Sequence, residues 1–287
     1  LTEAGLRGLI GGPVSDAALP SHDDAESALS ELDNLLSQNN ENDLVQYAIA
    51  THSVYLCSQE TLLRASDLAQ RRNGRIHIHV SETRKEIADC KEKNGLYPIE
   101  YLDSIDFIQP GTIFAHASWV KKNEIQIVAD RSVTTVHCPS SNMKLACGGT
   151  LSFPPYRDAG ADVRIGTDGA ASSGNGLNML HEARLASLLQ RHDHWDSTLF
   201  PAQDVFKLAT KGSKDWVAWN LDDVRMRPVG RSNNRHIANL IYNGGDCLDV
   251  WVNGQALRKN GTTLTLDEHS IIEELDEAVQ TYYDGLE

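Results

Sequence analysis

Short runs of apolar and β-branched residues recur along the 287-residue chain at wide intervals: GLRGLIG (5–11), LVQYAIA (44–50), RIHIHV (75–80), GTIFAHA (111–117), SVTTVHC (132–138) and DVRIGTD (162–168). Between them lie segments with helical spacing. SHDDAESALSELDNLLSQ (21–38) opens on cap-type residues and then sets Ala28, Leu29, Leu32, Leu35 and Leu36 on one face. Ser58 stands as an N-cap before QETLLRASDLAQRR, and KKNEIQIVAD (121–130) and GLNMLHEARLASLLQR (176–191) have the same character. Regular alternation of strand and helix predicts parallel strands joined by helical crossovers. Six strands are two short of a closed (β/α)8 barrel; the missing two are expected to precede Leu1, which makes these strands 3 to 8 of eight, and an open six-stranded sheet is the competing reading.

After residue 201 the rhythm changes. PAQDVFKLATKGSKDWVAW is expected to be one more helical segment, and HIANLIY (236–242) a strand. LDVWVNGQAL (248–257) is a strand that turns at Asn253-Gly254, a strong hairpin signal, and KNGTTLTL is a second hairpin arm. LDEHSIIEELDEAVQTYYDGL is an amphipathic helix with Ile271, Ile272, Leu275, Ala278, Val279 and Tyr282 on one stripe. The expected division is a barrel over 1–220 and a partial small β element with a C-terminal helix over 221–287.

Composition narrows the function classes. A formal net charge of −14 without a Lys/Arg cluster argues against nucleic acid. No apolar run is long enough for a membrane span. Five widely spaced cysteines, with no CxxC, argue against a disulfide framework or a paired-cysteine zinc site and fit a reducing cytoplasm.

The polar residues fall at a telling place. His52, His79 with Glu82, His116, His137 and Asp168 all sit at or just beyond the C-terminal ends of successive strands, the edge where parallel α/β folds build sites. In RIHIHVSET, His77 and His79 share one face of their strand. His79 is nearer the strand end; His77 is expected one layer down, as a buried, hydrogen-bonded core histidine. Asp168, where a strand runs into the loop IGTDGAASS, is placed to bind a metal or accept a proton, and His116 adds an imidazole at a neighbouring strand end. HCPSSNMKLACG (137–148) reads as a turn stabilised by Ser and Asn side chains.

Taken together, HSVYLCSQETL, IHIHVSETRKEI, FAHASWV, VHCPSSNMKLACGG and GTDGAASSGNGLNMLHEARLASLL resemble the amidohydrolase superfamily. The branch is that of deaminases acting on S-adenosylhomocysteine and 5′-methylthioadenosine, close to the triazine chlorohydrolases. The resemblance implies a TIM-like barrel, one divalent metal (Zn2+, with Fe2+ or Mn2+ as alternatives), a small heterocyclic substrate with water, and a homo-oligomer. It implies roles for four residues: His79 as metal ligand, Glu82 as proton shuttle, His116 as the histidine polarising the site, and Asp168 as metal ligand and base. His52 resembles a substrate-contacting histidine; Arg7 is left unassigned.

Other family features have no counterpart here. The family's first metal motif is an HxH, expected upstream of Leu1 since His79 already has its own place. The N-terminal β-sandwich strands, a turn and strand near Leu221-Asp222, and a second arginine in the SHDDAESA region are also lacking. Three readings stay open: hydrolytic deamination of an aminated purine, hydrolysis of a triazine or another heterocycle including guanine, and a non-catalytic fragment with too few ligands for a tight metal site.

Overall fold

The computed structural model describes residues 1–285 except 41–43, 171, 172, 175, 213 and 231–233. Six parallel strands, β1 (Gly8–Val14), β2 (Val45–Ser53), β3 (Ile76–Val80), β4 (Ile113–His116), β5 (Thr134–His137) and β6 (Asp162–Ile165), form one sheet in sequential order. Every expected strand of this series is present. Register shifts once, between Thr51 and Ser53 where β2 meets β3, and Val80 lies beside His116 and His137 beside Ile165, so the strand ends lie along one edge.

The alternation in β3 shows why the sheet forms. Ile76, Ile78 and Val80 are fully buried on one face, while His77 and His79 project from the other. Burying those branched side chains requires a helical layer. The helix Ala25–Leu36, capped by Asp24 accepting from the Ser27 amide, supplies Ala28, Leu29, Leu32 and Leu36. The helix Gln59–Arg72, capped by Ser58 and closed by the left-handed Asn73, adds Leu62, Ala65, Leu68 and Ala69. Packing is close at Gly12: a Cβ there would lie 2.4 Å from Leu32 Cδ2, so the Leu32 side chain would have to shift. A second apolar cluster joins Ile165 to Ala183, Ala186, Phe200, Val205 and Ile241.

A smaller antiparallel sheet follows, built from β7 (Trp216–Trp219), β8 (Cys247–Val252), β9 (Gln255–Lys259) and β10 (Thr262–Thr263). The Asn253-Gly254 turn joins β8 to β9 with φ of 51° and 79°, as the hairpin signal requires.

Two expectations are corrected. The segment 201–219 is not one helix. The helix Ala202–Thr210 stops before Gly212, whose φ is +76°, and the tail becomes β7, its Trp216 stacked on Trp251 at 5.1 Å. HIANLIY is not a strand but part of the helix Asn234–Asn243. Its apolar residues Ile237, Leu240 and Ile241 follow i, i+3, i+4 spacing, and burying Leu240 and Ile241 overrides the β-branched composition.

The C-terminal helix Glu268–Asp284 forms as expected, residue 286 lying outside the described residues, but buries none of its side chains. No helix among the described residues is long and apolar enough to cross a membrane. All five cysteines are free thiols.

Candidate active site

The C-terminal edge of the parallel sheet gathers His52 from β2, His79 from β3, Glu82 just beyond it, His116 from β4 and Asp168 beyond β6. The rings of His79 and His116 stack at 5.4 Å, and His52 lies 5.2 Å from His79. Glu82 Oε2 and Asp168 Oδ2 each lie 3.8 Å from His116 Nε2. Two carboxylates contributed from sequence positions 86 residues apart thus face one buried imidazole nitrogen.

Local backbone geometry makes this convergence. Ser81, His116, Ala117 and Asp168 all have left-handed φ, at 53°, 70°, 46° and 60°. Such conformations strain non-glycine residues, and they mark the points where the chain turns abruptly off each strand to aim a side chain across the edge. Glu86 holds the turn after β3: its carboxylate accepts from the amides of Ser81 at 2.7 Å and Glu82 at 2.8 Å. Burial pushes the Glu86 carboxyl up to about 7, against the opposing pull of those amides.

Burial and neighbouring charges act on three of these groups. Burial lowers the His116 pKa, so the ring is neutral at pH 7, although Glu82 and Asp168 favour its charged form. Asn142 Nδ2, 3.3 Å from His116 Nδ1, acts as donor to that nitrogen. The ring proton then sits on Nε2, facing the carboxylates. Burial raises the Asp168 carboxyl, but the Ser141 hydroxyl, the Gly169 amide and the neighbouring histidines outweigh it, and the group ionises below its usual range. His52 is shifted down by burial and by His79.

The donors can be tested against a divalent metal. His79 Nδ1 donates to the His52 carbonyl at 2.8 Å, which leaves the Nε2 lone pair free toward the site. A ligating histidine is held in this way in many metal sites. The Asp168 carboxylate, 3.8 Å from His116 Nε2, supplies an oxygen at the same edge. Imidazole and carboxylate suit zinc and neighbouring first-row ions. These two fit as part of a ligand set; among the described residues no group of three His, Cys, Asp or Glu side chains is placed to hold an ion by itself.

One expectation about the opening histidine pair changes. His77 shares the face of His79, their rings 5.3 Å apart, but it is half-buried and no hydrogen bond to its ring is found among the described residues. The face it occupies is less enclosed than the packed layer expected for it; burial still lowers its pKa to about 4.

The segment 137–148 is more than a turn. Its helix Pro139–Lys144 directs Ser141 to Asp168 Oδ2 at 2.5 Å and Asn142 to His116, and Cys147 Sγ donates to Glu82 Oε1 at 3.4 Å. These contacts were not assigned from the sequence, where the only signal was the specificity of the SNMKLACG string. Of the GTDGAASS loop, residues 171 and 172 lie outside the described residues. Arg7 is remote from this group, paired with Asp215 at 2.8 Å.

Comparison with known proteins adds an independent line. The model of the amidohydrolase family matches residues 2–217. The 5′-deoxyadenosine deaminase of Methanosphaera stadtmanae is 35% identical, the match covering 97% of this chain and 68% of that protein. The 5-methylthioadenosine/S-adenosylhomocysteine deaminase of Pyrococcus furiosus is 33% identical, covering 97% of this chain and 69% of that one. Other relatives are covered over a smaller share, down to 57%, so the chain spans between about half and about two thirds of the length of the curated relatives it matches. Among solved structures, an adenosine deaminase from Xanthomonas campestris with bound zinc superposes with a TM-score of 0.89 at 26% identity, covering 96% of this chain and 66% of that one. A triazine hydrolase from Arthrobacter aurescens gives 0.85 at 22% identity over 95% and 65%, a likeness of fold alone.

Proposed function

The chain belongs to the amidohydrolase family, and from that premise we propose that it carries the machinery for hydrolytic deamination of an adenosine-type purine, such as 5′-deoxyadenosine, 5′-methylthioadenosine or S-adenosylhomocysteine. The observation that carries the reading is the approach of Glu82 and Asp168 to the same neutral imidazole, each 3.8 Å from His116 Nε2. We also read the six-stranded sheet as an arc of a (β/α)8 barrel wall.

His79 and Asp168 would hold one divalent ion, with zinc as the first choice, and that ion supplies Lewis-acid activation of water. Asp168, ionised below the usual carboxylate range, accepts the proton of the attacking water. Glu82, the other carboxyl group beside His116 Nε2, acts from its acid form: it delivers its proton to the ring nitrogen next to the amino-bearing carbon, takes up the hydroxyl proton of the tetrahedral adduct, and passes that proton to the departing ammonia, while the proton held by Asp168 returns to Glu82 to restore the acid. His116 keeps its Nε2–H directed at the charge that develops between the two carboxylates. His52, ring against His79, lines the approach for substrate.

The test is ammonia release from those three purines, with guanine and an aminated triazine as comparators, using protein loaded with zinc, iron or manganese. Turnover on an adenosine-type purine that disappears with chelator and returns with the ion is the expected result. Turnover confined to the triazine, or none on any purine with full metal occupancy, overturns the reading.

A further inference from the structure

Glu82 has to present one carboxylate oxygen to substrate in a fixed direction, and its own backbone does not settle that. Glu86 pins the Glu82 amide, and among the described residues its carboxylate bonds only to main-chain amides, those of Ser81 and Glu82. The group that reaches the carboxylate comes from the loop after β5. Cys147 Sγ lies 3.4 Å from Glu82 Oε1, and Oε2 of the same carboxylate is the oxygen that faces His116.

The loop is built to hold that thiol in place. The Cys147 amide donates to the Asn142 carbonyl at 3.0 Å, and its carbonyl accepts from Trp119 Nε1 at 3.0 Å. Trp119 is itself covered by the Arg84 guanidinium, 4.3 Å from the ring centroid. The chain passes this indole so closely that a Cβ at Gly149 would lie 2.6 Å from it. Ala146 and Gly148, on either side of the cysteine, both take left-handed φ, at 52° and 73°. Asn142, whose carbonyl accepts from the Cys147 amide, also reaches His116 Nδ1 with its side chain. Burial and the Glu82 charge push the thiol pKa up to about 11, so it keeps its proton and donates.

We propose that Cys147 is a positioning residue for Glu82: its S–H donates to Oε1, fixes the carboxylate plane, and leaves Oε2 as the oxygen that exchanges protons with substrate. The catalytic half of this inference rests on the deaminase reading of Glu82; the contact itself does not. A thiol is a weak donor, which suits an oxygen whose partner must hold its proton while the carboxylate passes one back and forth.

Infrared spectroscopy tests the contact directly. Subtracting the Cys147→Ala spectrum from that of the intact chain isolates one S–H stretching band from the five thiols. The band is expected below the frequency of an unbonded thiol, and the same subtraction in a Glu82→Gln background should move it up. A band insensitive to Glu82→Gln overturns the proposal. In the metal-loaded enzyme, Cys147→Ala should lower kcat by roughly tenfold with KM little changed, the size expected for one lost hydrogen bond to a charged group. Cys147→Ser should recover most of it, and circular dichroism confirms that each variant is folded. An equal loss in the serine and alanine variants also overturns it. If no purine is turned over yet the band shifts, the deaminase reading fails and the contact stands. If turnover is normal and the band does not respond, the contact fails and the deaminase reading stands.

Discussion

Glu82 and Asp168 are both carboxylates facing one imidazole, but their surroundings differ. Asp168 accepts from a hydroxyl and an amide, whereas Glu82 accepts from a thiol. That difference suits a base in one and a proton shuttle in the other. Removing either ionisable group while keeping its shape, in Asp168→Asn and Glu82→Gln, should lower kcat by about 10²- to 10⁴-fold, the range for a lost general acid or base. Steady-state ammonia release measures it; a loss under threefold in either variant would remove that residue from the chemistry. The principal residues were legible because each stands at the end of an apolar run, and a strand's two-residue period dictates which side chains share a face. Their partners Ser141, Asn142 and Cys147 were not, because a loop's aim depends on backbone turns such as those at Ala146 and Gly148 that no periodicity announces.

At the level of elements, the helix Arg84–Asn94 works as a clamp on the site. Thr83 caps it and accepts from the Glu86 amide, while Glu86 reaches back to the Ser81 and Glu82 amides. Glu86→Ala should leave the buried Ser81 amide and the part-buried Glu82 amide without this partner, lower stability by about 1–3 kcal/mol in urea unfolding, and reduce turnover as Glu82 loses its fixed backbone. The C-terminal helix predicts the contrary. Ile272, Leu275 and Tyr282 are 58%, 61% and 66% exposed, so Leu275→Glu should change unfolding free energy by no more than about 0.5 kcal/mol. The same exposure shows the limit of pattern reading: an amphipathic stripe announces a helix but not what covers its apolar side. In 201–219 the pattern itself switched midway, and the alternating WVAW of β7 was outweighed by the helical run before it.

At the scale of the whole molecule, burial of ionisable groups couples stability to pH. His137 is fully enclosed at the end of β5, neither ring nitrogen finds a hydrogen-bond partner among the described residues, and burial pushes its pKa down to about 4. The unfolded chain takes up a proton near pH 6.5 and the folded chain only near 4, so folding stability falls as pH drops through that window. Glu86, raised to about 7, acts in the opposite sense: its contribution is present at low pH and lost as pH rises from 4.5 through 7. A comparison of variants separates them. His137→Leu removes the first contribution alone, so its stability relative to the parent chain should improve by about 2–3 kcal/mol between pH 7 and pH 4, read by urea unfolding at each pH. A pH-independent difference would show that the histidine is not protonated on unfolding in that range.

The sequence by itself determined the alternation of strands and helices, the hairpin at Asn253-Gly254 and the placement of His52, His79, Glu82, His116 and Asp168 on one edge. Each follows from local periods or turn residues. Only the tertiary structure decided that HIANLIY is a helix, that His77 stays half-open beside His79, and that Cys147 meets Glu82 from 65 residues away. The physical reason is that a strand or helix is specified by its neighbours in the chain, whereas burial and hydrogen-bond partners are fixed by how separate elements pack, where a branched side chain takes whichever backbone lets it reach the core.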